Sequence, residues 1–308
     1  MPAVYCPAMG LSIHWAETRE RPMVTQIHIT TEHPEATVAT LTPPRKPAAE
    51  RSSRGRAERR VKSALSAETL DLHYQPIFEL FGHAPVAVEA LLRLWDGDGK
   101  ALDVSQSIFT AEQSGQIGMV DRWVAGRVLS RLGRHQFSEG LRVHINVSPL
   151  ELLDPRFVQG LADAAAEIGV EPGEICLEIT ERMPLPDQSR FLLRRLRSMG
   201  FLVAIDDFGS GWAGIGTFAD IPADIVKIDR SLVRKLHRSE RARRVFVAAV
   251  EMIHSVGQIA VAEGVENEAQ LSFVTEVGCD QVQGFYLGKP VPEGILSASV
   301  RDWRSRGQ

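Results

Sequence analysis

The sequence predicts an α/β fold, a TIM-like (β/α)8 barrel with one antiparallel strand near the N-terminus of the barrel. Three observations carry this expectation. From about residue 56 onward, eight short β-like runs alternate with amphipathic helical stretches. Each run ends with a polar residue on the face opposite its apolar side chains. Only residues 77–85, with Gly82 and Pro85, join the first two runs. That is too short for a helical crossover, so a hairpin makes this pair antiparallel.

The β-like runs fall at 72–76, 86–92, 142–147, 175–179, 202–206, 225–229, 258–263 and 281–283. Helical patterns fall between most of them, at 119–133, 155–168, 188–199, 240–255 and 266–276. No internal repeat is visible. Residues 1–55 show no sustained period and hold Pro34, Pro43, Pro44 and Pro47; they read as a poorly ordered or regulatory N-terminal arm. The expected domain occupies 56–300, with a C-terminal tail at 301–308.

Charge narrows the function. The run 44–62 holds eight Lys and Arg against Glu50 and Glu58, so a chain of net −4 is about −10 outside it. That balance argues against a DNA or RNA binder, which needs spare cations for phosphates. It suits an enzyme whose site gathers carboxylates. Cys6, Cys176 and Cys279 form neither a disulfide framework nor a zinc pattern, and a reducing cytoplasm is the simple expectation. No apolar run approaches the roughly 20 residues of a membrane helix, and no transmembrane segment is expected. The N-terminus lacks the pattern of a signal peptide.

Parity within the strands locates the chemistry. Val143, Ile145 and Val147 share one face, and His144 and Asn146 the other. Ile175, Leu177 and Ile179 oppose Cys176 and Glu178. Applied along the chain, the rule yields Gln75, Glu89, Asn146, Glu178, Asp206, Lys227, Glu263 and Gln283. In a barrel these converge on the C-terminal mouth. Four carboxylates there repel unless cations neutralise them. Oxygen ligands with one Asn amide suit a hard ion, Mg²⁺ or Mn²⁺. Asp207 follows Asp206 at a strand end running toward Gly209, where it can swing back. A shared Asp206 with Asp207 on one ion is a natural two-metal arrangement for in-line attack on phosphorus.

The blocks Glu89-Ala90-Leu91-Leu92-Arg93, Tyr74-Gln75-Pro76-Ile77, Ile145-Asn146-Val147-Ser148, Glu178-Ile179-Thr180-Glu181, Asp206-Asp207-Phe208-Gly209-Ser210-Gly211, Val226-Lys227-Ile228-Asp229, Ala262-Glu263-Gly264-Val265-Glu266 and Gln283-Gly284-Phe285 resemble the EAL-domain cyclic di-GMP phosphodiesterases. The resemblance covers about 60–295. It implies the EAL type of barrel and hydrolysis of cyclic di-GMP to linear pGpG with two ions, Mg²⁺ or Mn²⁺. Glu89, Asn146, Glu178 and Asp206 resemble ligands of one ion, and Asp206, Asp207 and Glu263 those of the other. Lys227 resembles the lysine at the attacking water, with Glu89 and Glu263 beside it in the catalytic set. Gln75, Leu92, Arg93 and Gln283 look like substrate-side residues, with Arg93 on a phosphate; Gln283 also resembles a support of the second ion's water shell. Glu181 and Glu266 look like loop supports.

The loop after Asp207 departs from the family pattern at Ser210, Trp212, Ala213 and Gly214, which bears on rate and regulation. A homodimer is expected from the resemblance alone. The competing reading is a non-catalytic cyclic di-GMP receptor acting through a partner protein. Each polar residue taken singly is as well read as a cap, turn or surface charge. Their shared parity at strand after strand is what favours a site. His73 and His144 also fall inward and read as hydrogen-bonded barrel residues rather than ligands.

Overall fold

The structure is a computed structural model and describes residues 4–6, 11–13, 70–81, 84–96, 98–133, 140–152, 154–180, 187–210, 218 and 221–306. The chain divides into two units, Met1–Gly55 and Arg56–Gln308. In the first, β1 (Val4–Cys6) pairs antiparallel with β2 (Leu11–Ile13). Three-residue strands are too short to register as a period, so the sequence predicted no element there. The remainder of the expected arm lies outside the described residues.

The second unit is the barrel. Its strands are β3 (Leu70–Glu79), β4 (Pro85–Leu94), β5 (Arg142–Asn146), β6 (Ile175–Thr180), β7 (Leu202–Phe208), β8 (Ile225–Ile228), β9 (Ile259–Glu263) and β10 (Gln281–Gln283). They are hydrogen-bonded in chain order, and β10 returns to pair with β3, Val282 opposite Phe78, closing the barrel. β4 through β10 run parallel, whereas β3 is antiparallel to both neighbours. The short join does form a hairpin, as its length requires. A two-residue strand β11 (Val291–Pro292) adds to the side of β3.

The helices are α1 (Val104–Gln113), α2 (Ile117–Leu132), α3 (Pro149–Leu152), α4 (Pro155–Glu167), α5 (Asp187–Ser198), α6 (Arg230–Val233), α7 (Glu240–Ser255), α8 (Glu268–Glu276) and α9 (Leu296–Arg306). Side-chain caps start four of the longer ones. Asp103, Asp154, Ser239 and Asn267 each accept a backbone N–H from the first turn that would otherwise be unpaired. Pro155 opens α4, where its missing N–H costs nothing. None of these helices is long and apolar enough to cross a membrane.

The barrel has two apolar layers. Outward-facing Val143, Ile145, Ile175, Leu177, Val203, Val226 and Ala260 join the helices in one core with Phe157, Leu161, Phe246 and Ile253. Inside, Ile77, Ala87, Cys176, Ala204, Ile225 and Val261 form a separate apolar plug. This plug fills the lower barrel and gives the polar residues above it a dry floor.

The C-terminal boundary needs correction. The expected tail at 301–308 begins inside α9, which continues to Arg306. Leu296, Val300 and Trp303, spaced four and three residues apart, are buried on one helix face, and α9 lies against β4 and β11. The charged residues between them, Arg301, Asp302 and Arg304, disguise that stripe in the sequence. Trp303→Ala is expected to cost about 3–5 kcal/mol, read as a lower urea midpoint in equilibrium unfolding. A loss below about 1 kcal/mol, the size of a surface substitution, would mean that α9 is not part of the barrel's core.

Candidate active site

Above the plug, side chains from six strands meet in a ring around Lys227, whose ammonium is fully buried. Lys227 Nζ lies 2.8 Å from Glu263 Oε1, 2.9 Å from Glu178, 3.1 Å from Glu89 Oε2 and 3.4 Å from Asp206 Oδ1. Glu89 is held on several sides. Its Oε1 accepts from Asn146 Nδ2 at 2.9 Å, and its Oε2 accepts from Gln283 Nε2 at 2.8 Å as well as from Lys227. Glu178 Oε1 lies 2.8 Å from His144 Nδ1, and both side chains are fully buried.

Electrostatics sort these carboxylates. Burial alone would raise Glu89, but the charge of Lys227 and the hydrogen bonds from Gln283, Asn146 and Lys227 outweigh it and bring its pKa to about 2. Burial dominates at Glu263, aided by Asp206 and Glu89, and lifts it to about 8 despite Lys227. Burial and the neighbouring Glu89 likewise raise Glu178. Burial opposes the charge on Lys227, but Asp206, Glu178, Glu263 and Glu89 together raise its pKa well above that of an ordinary lysine. His144 is driven down to about 3, by burial first and then by Lys227, and its imidazole is neutral. The ring therefore holds more carboxyl groups than its one ammonium can keep ionised, which is the electrostatic form of a cation site.

Backbone geometry brings both aspartates to the mouth. The β7–β8 pairing shifts between Ile205 and Phe208, and Asp207 has φ +58°, a left-handed conformation uncommon outside glycine. That bulge supplies the turn back that adjacent strand residues otherwise lack. Ligand atoms of Asp206, Asp207 and Glu263 lie within 4.8 Å of one another. Asp206 Oδ1 is buried and accepts no hydrogen bond among the described residues, its nearest cation being Lys227 Nζ at 3.4 Å. A cluster of oxygen donors with a carboxylate oxygen lacking a hydrogen bond fits a hard divalent cation.

Beside the ring a groove of about 460 Å³ opens between the end of β4 and helices α1 and α2. Leu92, Arg93, Ile108, Phe109, Asn146 and Asp207 are on its walls. Arg93 is half-buried, and its Nη1 donates to Leu92 O at 2.9 Å. Leu92 points to the opposite strand face from Glu89 and gives the groove an apolar wall. Gln75 pairs across the hairpin with Glu89 and donates to Gly288 O at 3.2 Å. Because β3 runs antiparallel, Gln75 sits mid-strand rather than at a C-terminal end as the other ring residues do. Glu266 is exposed, and its backbone N–H donates to Gln270 Oε1. Glu181, Trp212, Ala213 and Gly214 lie outside the described residues. A larger cavity of about 590 Å³ at the other end of the barrel is lined by Arg142, Asp224 and Gln258, and none of the ring carboxylates reaches it.

Sequence reading missed Asp121. It lies in α2 among Val120, Val124 and Val128, and its Oδ2 accepts the backbone N–H of Ser148 at 3.0 Å. The bond anchors the turn that follows Asn146. An acid inside an apolar helical stripe was the available signal. Burial lifts its pKa to about 7, against the opposing hydrogen bond from Ser148.

Comparison with known proteins places this fold in a family. Residues 58–290 match the EAL domain family, and the chain belongs to it. It is 33% identical over 251 residues to the cyclic di-GMP phosphodiesterase NbdA of Pseudomonas aeruginosa, covering 80% of this chain and 32% of that one. It is 32% identical over 247 residues to the bifunctional diguanylate cyclase/cyclic di-GMP phosphodiesterase MucR of the same organism, covering 78% and 36%. The chain thus spans about a third of the length of the curated relatives it matches. Among solved structures, the MucR phosphodiesterase in complex with c-di-GMP superposes with a TM-score of 0.72 at 31% identity, over 78% of this chain and 99% of that one. The FimX EAL domain of Pseudomonas aeruginosa, at 22% identity and a TM-score of 0.70, covers 76% of this chain and 96% of that one and shares the fold.

The raised pKa of Asp121 carries a stability consequence. The folded state keeps this proton up to about pH 7, while an unfolded aspartate releases it near 4. Its contribution is therefore most favourable in acid and is lost as pH rises from about 4 to 7. Asp121→Asn stays neutral and can still accept from Ser148. It is expected to exceed wild type in stability by on the order of 2 kcal/mol at pH 8, with the gain vanishing near pH 4. Urea unfolding at both pH values checks this, and a destabilised Asn variant at pH 8 would contradict it.

Proposed function

We propose that the protein hydrolyses one phosphodiester of cyclic di-GMP to linear pGpG. The observation that carries this reading is the buried carboxylate ring around Lys227, with Asp206, Asp207 and Glu263 gathered at its rim beside the groove. The names of MucR and NbdA support the substrate. Glu89, Asn146, Glu178 and Asp206 would hold one Mg²⁺ or Mn²⁺, and Asp206, Asp207 and Glu263 a second. When bound, such ions lower the pKa of a water and stabilise charge on a phosphoryl oxygen.

The chain's own residues supply the rest. A water oxygen bonds to phosphorus and the bond from phosphorus to the ribose 3′ oxygen breaks. The phosphate stays on the 5′ oxygen, and the departing 3′ oxygen takes a proton. Lys227 would steady negative charge at the attacking water, with its ammonium held by the ring. Gln283 and Asn146 hold Glu89 in one orientation. Arg93 offers a planar donor to the second phosphate, and Leu92 with Ile108 and Phe109 offers apolar cover. The same reading includes a homodimer, a cytoplasmic location, a regulatory role for residues 1–55, and Glu181 and Glu266 as loop supports.

Incubation of the protein with cyclic di-GMP and Mg²⁺ or Mn²⁺, followed by chromatography, tests the proposal. The expected result is pGpG that appears only with metal and is abolished by Glu89→Gln or Asp206→Asn. Tight nucleotide binding by wild type with no product would replace the enzyme with a receptor. Variants that turn over at wild-type rate would remove these residues from the metal site.

A further inference from the structure

We propose that His144 is a positioning residue for the metal ring, fixing the Glu178 carboxylate from below so that it faces a divalent cation in one orientation. The inference rests on the ring being a divalent-cation site. His144 stands on β5 with Glu89 beside it on β4 and Cys176 beside it on β6, so it bridges the apolar plug and the carboxylates above. Its side chain is completely inaccessible to solvent. Nδ1 lies 2.8 Å from Glu178 Oε1, while Lys227 Nζ donates to Glu178 Oε2 at 2.9 Å and lies 2.9 Å from Oε1 as well.

Lys227 straddles both oxygens of the carboxylate, and His144 adds a second, directional contact at Oε1 that opposes rotation about its last bond. Lys227 alone does not impose this, because an ammonium is a compact charge with rotatable donors and here serves four carboxylates. The imidazole is planar and locked in a packed interior. With Glu178 ionised, the one proton of that imidazole lies on Nδ1 and is donated to Oε1.

The other nitrogen makes the argument specific. His144 Nε2 is buried and has no hydrogen-bond partner among the described residues. An orphaned polar atom in a barrel interior is unfavourable, and an apolar side chain of similar size would avoid it. What an apolar side chain would lose is the Nδ1 contact with Glu178. Ligating carboxylates are commonly oriented by such outer partners, and losing one weakens metal binding by about 10- to 100-fold.

Mn²⁺ titration calorimetry on the full chain, without nucleotide, tests the assignment independently of turnover. His144→Leu and His144→Met fill the space without a donor, whereas His144→Asn keeps a short N–H directed toward Glu178. The apolar variants are expected to bind Mn²⁺ about 10-fold or more weakly than wild type, and the Asn variant within about threefold. Thermal unfolding without metal identifies any variant that fails to fold; the Asn variant and whichever apolar variant folds then decide the matter. Apolar variants that bind Mn²⁺ like wild type, or an Asn variant as weak as they are, would leave His144 with packing alone and overturn the proposal. A wild-type chain that binds no Mn²⁺ would instead overturn the metal-site reading beneath it.

Discussion

A lysine ammonium buried among four carboxylates is the constraint on which this barrel's interior depends. Lys227 has no access to water, and an ammonium there without partners would give up its proton. Glu89, Glu178, Asp206 and Glu263 reach it from β4, β6, β7 and β9, so the charge is compensated only when the barrel is closed and in register. Removing Lys227 from such a cluster would leave four carboxyl groups with no cation in a dry interior. The apolar plug beneath strengthens every one of these interactions by keeping water out. With Asp207, five carboxylates face one ammonium, and two divalent cations would bring the set to neutrality.

Two departures from regular strand geometry make the arrangement possible. Reversal of β3 places Gln75 directly across from Glu89, and closure through β10 brings Gln283 onto the same carboxylate. Glu89 is therefore an acid whose hydrogen bonds and neighbouring charge overcome its burial. The bulge in β7 is the second departure. It turns Asp207 toward the mouth at the cost of a left-handed backbone, a strain that persists where surrounding contacts hold it.

Much of this was legible in the sequence because a strand's period of two is unforgiving. Once Ile175, Leu177 and Ile179 are assigned to the helix-facing side, Glu178 has one direction left. The eight strands were each found, with ends displaced by a few residues. Helices α1 and α9 were not. Ser105, Ser107 and Thr110 dilute the helical character of α1, although Asp103 marks its start, and charges mask the stripe of α9. The contact of His144 with Glu178 depends on the register between β5 and β6, which no single strand encodes. Asp121 was hidden for a similar reason, since its partner is a backbone N–H on another element.

Anomalous diffraction from crystals grown with Mn²⁺ addresses the central claim most directly, because it locates the cations without reference to activity. The account predicts two manganese peaks, one among Glu89, Asn146, Glu178 and Asp206 and one among Asp206, Asp207 and Glu263. A ring holding Lys227 but no manganese, or manganese bound only elsewhere, would contradict it and leave the carboxylates as a structural ion cluster.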